Sequence, residues 1–445
     1  MDKVPHSTAG PPETAAPDQS FVWQNCWYPA AFLQDLPRDK PTSLSLYDQP
    51  LVLFFDSEGR VNCLRDRCPH RAARLSDGQM IEGRLECLYH GWQFGAGGQC
   101  LLIPQLYPDK DIPDRAHVRA YPTAIRHEIV WVWAGDPADA NEALIPAATH
   151  DPAASVYSVT FQMDLPYDQT YLIENVIDVA HIHIAHHGVR GGGQREAAKP
   201  LDFHIQHSNA SGIRASFRSV GLSRSEDAPA LGGAVVEFQA PNLIRFVSKY
   251  QDPSLIAGLD LYSIPLGKNK CRLLYRKYSN FTPLTERIKP RWLEHLTQCK
   301  ILEQDMAVVV GQHEQIERDG AQVRDIWLPL KTSDRLVVEY RKWLDAFGAD
   351  LPFHRGFATA HNSGPDPDLP KLPVDRHVLH TSICATCGRL HCRLGRAIAV
   401  LWAFAAITAV VALAIESQTG RVVLSFGVAA GLLAIAAARR LRARL

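Results

Sequence analysis

The sequence predicts an α+β fold in three parts: a small all-β domain, a larger domain of antiparallel sheet plus helices, and a C-terminal pair of membrane-crossing helices. Three observations predict it. Short apolar runs separated by turn residues fill the chain from Phe21 to about residue 145, the pattern of an antiparallel β domain. Strand-like runs between 201 and 278 precede two helical stretches, 291–318 and 333–347. Finally, residues 397–415 and 422–438 carry no charge, and each approaches the roughly 20 residues needed to cross a bilayer.

In chain order, residues 1–20 are rich in Pro, Ala and acid without an apolar core, so a disordered tail is expected and no secretory signal is read there. The first domain is placed at 21–145. Aromatic residues 21–28 suit an opening strand, 51–55 a strand running into the turn at Gly59, and 61–64 the next strand. Residues 83–88 alternate, and 130–134 close the domain. The Ala-, Pro- and Asp-rich stretch 137–152 marks a boundary. The second domain, 150–360, opens with a strand at 156–165 and a breaker-free helix at 171–181. Asn175, Asp178 and His181 are spaced to share one face of that helix. The triple glycine 191–193 suits a mobile loop, and Ser333 or Asp334 suits a helix cap. A linker at 361–396 leads to the apolar pair at 397–438. Arginines 389, 393, 396, 439, 440, 442 and 444 flank that pair at its outer ends, which places both ends and the two preceding domains on the cytoplasmic side of a multi-pass hairpin. The alternative for the pair is a buried soluble hairpin.

Lys plus Arg and Asp plus Glu both number 47, so nothing points to nucleic acid. The ten cysteines are scattered rather than framed for disulfides, which fits a reducing compartment.

The chemistry is concentrated in two stretches. Cys68-Pro69-His70-Arg71 and Cys87-Leu88-Tyr89-His90-Gly91-Trp92 each offer one thiolate and one imidazole. Zinc favours pairs of like ligands; this interleaving suits a Rieske-type [2Fe–2S] cluster, one iron held by Cys68 and Cys87 and the other by His70 and His90. Neutral nitrogens in place of two anionic sulfurs raise the potential into a range of roughly −150 to +300 mV. Downstream, His181 and His186 plus a carboxylate would make a facial triad for a mononuclear non-haem Fe(II) with positions left for O₂. Asp305 is the expected third ligand, with Glu303 as rival. His183 and His187 make the histidine choice ambiguous. On an unbroken helix His186 would sit ~140° around the axis from His181, so a loosened helix or a turn near Gly188 is required. Asp178, one turn before His181, suits an acceptor that orients that imidazole or relays electrons or protons.

Together these motifs resemble the Rieske non-haem iron oxygenases. The 21–29 aromatic run, Ile103-Pro104-Gln105, residues 339–343 and the late Cys384-x-x-Cys387 make the chain similar to the pheophorbide a oxygenase group, which includes protochlorophyllide a oxygenase-like and chloroplast-translocon Rieske proteins. The N-terminal tail shows no evident transit peptide, which favours a bacterial over a plastid setting. The resemblance implies a Rieske domain, a helix-grip catalytic domain and a monooxygenase taking electrons from ferredoxin or a reductase. It also implies a homotrimer in which His90 of one subunit approaches Asp178 of the next, and Asn175 and Asp178 near the chemistry. With a membrane hairpin, it points to a large, planar, lipophilic substrate, a tetrapyrrole or other oligopyrrole. Cys384 and Cys387 are read three ways: a thioredoxin-reducible dithiol, a zinc site drawing on His391 and Cys392, or two thiols without a role. The competing function is a membrane-tethered redox carrier or sensor whose second iron never turns over.

Overall fold

The computed structural model describes residues 21–148, 156–189, 192–218, 231–363 and 375–445. The expected tail, part of the 137–152 boundary, Gly191 and most of the Pro-rich linker lie outside them.

Three small sheets build the first domain. Its Gln49–Phe55 strand is a wall between two cores. Leu51, Leu53 and Phe55 face a core shared with the second domain, while Val52 and Phe54 face the core beneath the two Cys/His loops. Side chains alternate across a strand, so a continuous apolar run is required when both faces are covered. The next strand, Val61–Arg65, leads into the Cys68 loop, and Arg84–Glu86 leads into the Cys87 loop. The opening strand starts later than expected, at Trp27–Phe32, because residues 23–26 form a turn in which Asn25 N–H bonds the Val22 carbonyl.

The second domain is a seven-stranded antiparallel sheet. From Asp202–Asn209 to Lys270–Ser279 each strand pairs with its sequence neighbour, and Tyr157–Leu165 then pairs with the last. Tyr157–Leu165 is therefore an edge strand. Helix α1 (Gln169–Ile177) starts at Asp168, whose carboxylate accepts the Thr170 N–H at 2.7 Å. After it come α2 (Ile182–Ala185), a short α3 (Leu284–Arg287) and the long α4 (Arg291–Asp319), which stops at Gly320 with φ 62°. Leu302, Met306, Val309 and Val310 of α4 pack with Phe161 and Met163 of the edge strand. A short α5 (Val323–Ile326) precedes α6 (Arg335–Phe347), which has Asp334 at its N-cap position.

The domains meet through the Tyr47-Asp48 turn. Both residues have positive φ, as a two-residue hairpin turn requires, and their amides bond the carbonyls of Pro265 and Leu266 at 2.6 and 3.1 Å. α7 (Ala385–Ala414) begins inside the expected 361–396 linker, and it and α8 (Gln418–Arg442) are long and apolar enough to cross a membrane and are mostly exposed. They pack antiparallel: a Cβ added at Gly431 would touch Ala405, and one at Gly427 would touch Thr408.

The expected 171–181 helix does not run through. It ends at Ile177, and Asp178 is extended with ψ 91°. The Asp178 side chain accepts the Ala180 N–H at 2.9 Å, a local bond that replaces the next helical turn.

Candidate metal centres

In the first domain the Cys68 loop closes through Ala72 N–H to the Cys68 carbonyl at 3.0 Å, and the Cys87 loop through Gly91 N–H to the Cys87 carbonyl at 2.9 Å. Ala72 and Gly91 both have positive φ, and a Cβ at Gly91 would lie 3.1 Å from the Pro104 ring, so the loop residues are chosen for close approach. Both sulfurs are buried, whereas His70 is exposed and His90 half-buried. The imidazole rings lie 4.4 Å apart, and Trp92 stacks on His70 at 4.8 Å. His90 Nδ1 is buried with no hydrogen-bond partner. Burial pushes the Cys68 thiol up to about 11, opposed by the amides of His70 and Arg71. Two inner thiols, two outer imidazoles and an orphaned nitrogen fit a cluster with sulfur on its inner iron and nitrogen on its outer one.

In the second domain the structure brings His181, His186 and Asp305 together, their donor atoms all within 4.8 Å of one another. His186 Nε2 is 3.2 Å and His181 Nε2 3.6 Å from Asp305 Oδ1, and the rings cross at 79°. The break at Asp178 makes this possible: His181 and His186 cap the two ends of the single turn α2 and reach the same point. Each outer nitrogen is engaged, His181 Nδ1 donating to the Asp178 carbonyl and His186 Nδ1 to Gln304 Oε1 at 3.1 Å. With the protons outside, both Nε2 lone pairs converge on Asp305, and three donors on one side fit a mononuclear iron with open positions. Glu303, the rival, is tied to Arg376 at 2.5 and 2.6 Å. His183 and His187 accept N–H bonds from Gln194 and Arg195, so they brace the following loop.

A cavity of about 360 Å³ opens beside the three donors, lined by Asn175, Asp178, Val309, Trp327, Leu328 and Val337 among others. Desolvation raises the Asp178 carboxyl above its ordinary value, with His181 pulling the other way. Beneath the cavity, sequence reasoning missed an ion pair. Fully buried Arg341 of α6 meets Glu174 of α1, and Gln312 of α4 donates to the same carboxylate at 2.9 Å. A lone Glu within an apolar helix was its only signal.

Cys384 and Cys387 are buried, and their neighbours are His295 and His380. The expected partners His391 and Cys392 do not join them. His391, one turn beyond Cys387 on α7, packs against His377 at 4.5 Å and accepts from Arg442, and Cys392 is exposed.

Comparison with known proteins gives two family matches, the Rieske [2Fe-2S] domain over residues 26–122 and pheophorbide a oxygenase over 238–323. The chain is 36% identical to Arabidopsis thaliana "Protein TIC 55, chloroplastic" over 79% of its own length and 64% of that protein. It spans 61% of the Pisum sativum counterpart. It is 32% identical to the pheophorbide a oxygenase of Oryza sativa subsp. japonica, over 87% of this chain and 76% of that one. In fold it resembles crystalline dicamba monooxygenase bound to dicamba, with a TM-score of 0.61 at 23% identity over 74% of this chain and 98% of that one.

Proposed function

The chain belongs to the pheophorbide a oxygenase family of Rieske oxygenases, and from that premise we propose that it is a membrane-anchored monooxygenase acting on a large planar tetrapyrrole or other oligopyrrole. The observation that carries this reading is the convergence of His181, His186 and Asp305 on one point at the wall of a 360 Å³ cavity. Cys68, His70, Cys87 and His90 would hold the [2Fe–2S] cluster, and His181, His186 and Asp305 the mononuclear iron. When bound, these groups supply single electrons and the activation of O₂.

The chain's own residues do the rest. The Asp178 carbonyl and Gln304 fix the two imidazoles as neutral donors. Glu174 and Arg341 hold α1 against α6, and with them the floor of the cavity. Val309, Trp327, Leu328 and Val337 give an apolar wall, while Asn175 and Asp178 supply the polar groups that orient a substrate. The cavity is at the small end of the ~300–1,000 Å³ common for ligands, so a macrocycle enters edge-on. Its remainder would lie over exposed Val308 and Leu328.

Ferredoxin or a reductase would donate electrons. The exposed Leu88 and Tyr89 beside His90 suit contact with a second subunit, as in a homotrimer where His90 faces the neighbour's Asp178. The apolar pair α7 and α8 would sit in lipid with its Arg-rich ends and the catalytic domains on the cytoplasmic side.

Iron content tests the reading: about three iron atoms per chain are expected, against about two for a redox carrier. A His181→Ala variant should keep the cluster's visible spectrum and lose oxygen uptake dependent on an added oligopyrrole. Unchanged uptake would overturn the assignment.

A further inference from the structure

The second group of converging ligands stands apart from both iron centres. His295, His380, Cys384 and Cys387 are 0%, 1%, 1% and 1% exposed. Their donor atoms all lie within 4.8 Å of one another. His295 Nδ1 is 3.4 Å from each sulfur, and His380 Nε2 is 3.3 Å from Cys387 Sγ. Zinc bonds of ~2.3 Å to sulfur and ~2.0–2.1 Å to nitrogen in a tetrahedron place neighbouring S and N ligands about 3.6 Å apart. The observed spacings are close to that.

The outer nitrogens settle which atoms face inward. His295 Nε2 donates to the Thr160 carbonyl at 2.9 Å, and His380 Nδ1 to the Gln162 carbonyl at 2.6 Å. Those carbonyls are two residues apart on the edge strand Tyr157–Leu165, so they face the same way. Each imidazole therefore carries its proton on the strand side and turns a lone pair toward the sulfurs. Nothing in a simple pair of thiols calls for two histidines oriented in this way.

We propose that His295, His380, Cys384 and Cys387 form a closed, structural zinc site that fastens the start of the apolar hairpin to the catalytic domain. Binding releases the two thiol protons. The two thiolates neutralise the dication while the imidazoles stay neutral, so a site with no net charge is buried. Four donors, all buried, leave no position for substrate, which separates this site from a catalytic one. Its ligands join three elements: the sheet edge through the Thr160 and Gln162 carbonyls, α4 through His295, and the head of α7 through Cys384 and Cys387. His295 precedes Asp305 by ten residues on α4, about 15 Å at ~1.5 Å per residue. The zinc would thus brace, from a distance, the helix that supplies the iron's carboxylate. This proposal does not depend on the oxygenase reading.

The test is metal analysis of the full-length protein in detergent, with zinc and iron measured together. About one zinc per chain is expected beside the iron. Cys384→Ala, Cys387→Ala and His295→Ala should each lower zinc at least tenfold while the visible spectrum of the cluster stays unchanged. Should these variants fail to fold, the unaltered protein still decides. A mercurial reagent that blocks thiols should release zinc to a colorimetric chelator in step with the loss of two buried thiols. Cobalt exchanged into the site should show the sulfur-to-metal charge-transfer band of a tetrahedral dithiolate. Zinc-free protein whose Cys384 and Cys387 are free thiols, or a disulfide that thioredoxin reduces, would overturn the proposal. So would full zinc retention in all three variants.

Discussion

The His181/His186/Asp305 centre and the His295/His380/Cys384/Cys387 centre are built alike up to the last ligand. In both, two imidazoles are held by oxygen acceptors at their outer nitrogens: the Asp178 carbonyl and Gln304 in the first, two strand carbonyls in the second. Orientation of the histidines therefore does not distinguish them. The first has three donors and a cavity of about 360 Å³ at its side; the second has four donors, all buried. A missing fourth ligand beside open space is what turns a binding site into a reactive one.

The sharpest way to break this comparison is to remove one ligand from each centre. Asp305→Ala should drop iron from about three to about two per chain and bring oxygen uptake to background, with zinc unaffected. Cys387→Ala should do the reverse to the metals. If either variant loses both metals with the fold intact, the centres are not independent.

A smaller effect concerns what holds each centre in place. The iron centre leans on a buried charge pair, and Glu174→Ala would leave Arg341, fully enclosed, without its carboxylate. Breaking such a pair from one side costs about 3–5 kcal/mol, read as a fall in thermal midpoint. The zinc centre leans on backbone carbonyls instead, so it offers no equivalent side-chain deletion. Smaller again is Gln304→Leu, which frees the outer nitrogen of His186. A loss of about 10–100-fold in iron affinity is expected, measured by competition with a chelator, with the zinc content constant.

How much of this could be read from the sequence depended on distance along the chain. The cluster loops were legible because each Cys and His pair lies within four residues. The sheet and the long α4 were legible from period and from the absence of breakers. The break at Asp178 was not. Helical spacing continued through it, and only the Asp side chain's bond to Ala180 N–H overrode the pattern. Asp305 was reachable as a carboxylate on a long helix, but its preference over Glu303 depends on Arg376, seventy-three positions beyond Glu303. His295 was invisible for the same reason, being eighty-nine residues from Cys384. His380, one turn ahead of Cys384, was within reach of a spacing argument.

The smallest predicted effect is at the two residues further along α7, His391 and Cys392. His391 is held by His377 and Arg442 near the surface, and Cys392 is exposed, so neither touches the four buried donors. His391→Ala and Cys392→Ser should each change stability by less than about 0.5 kcal/mol and leave zinc and iron contents at the unaltered value. The reason is geometric. Four ligands already complete the tetrahedron, so the imidazole one turn beyond Cys387 on α7 has no vacancy to fill. Loss of zinc in His391→Ala would make His391 a ligand in place of one of the four.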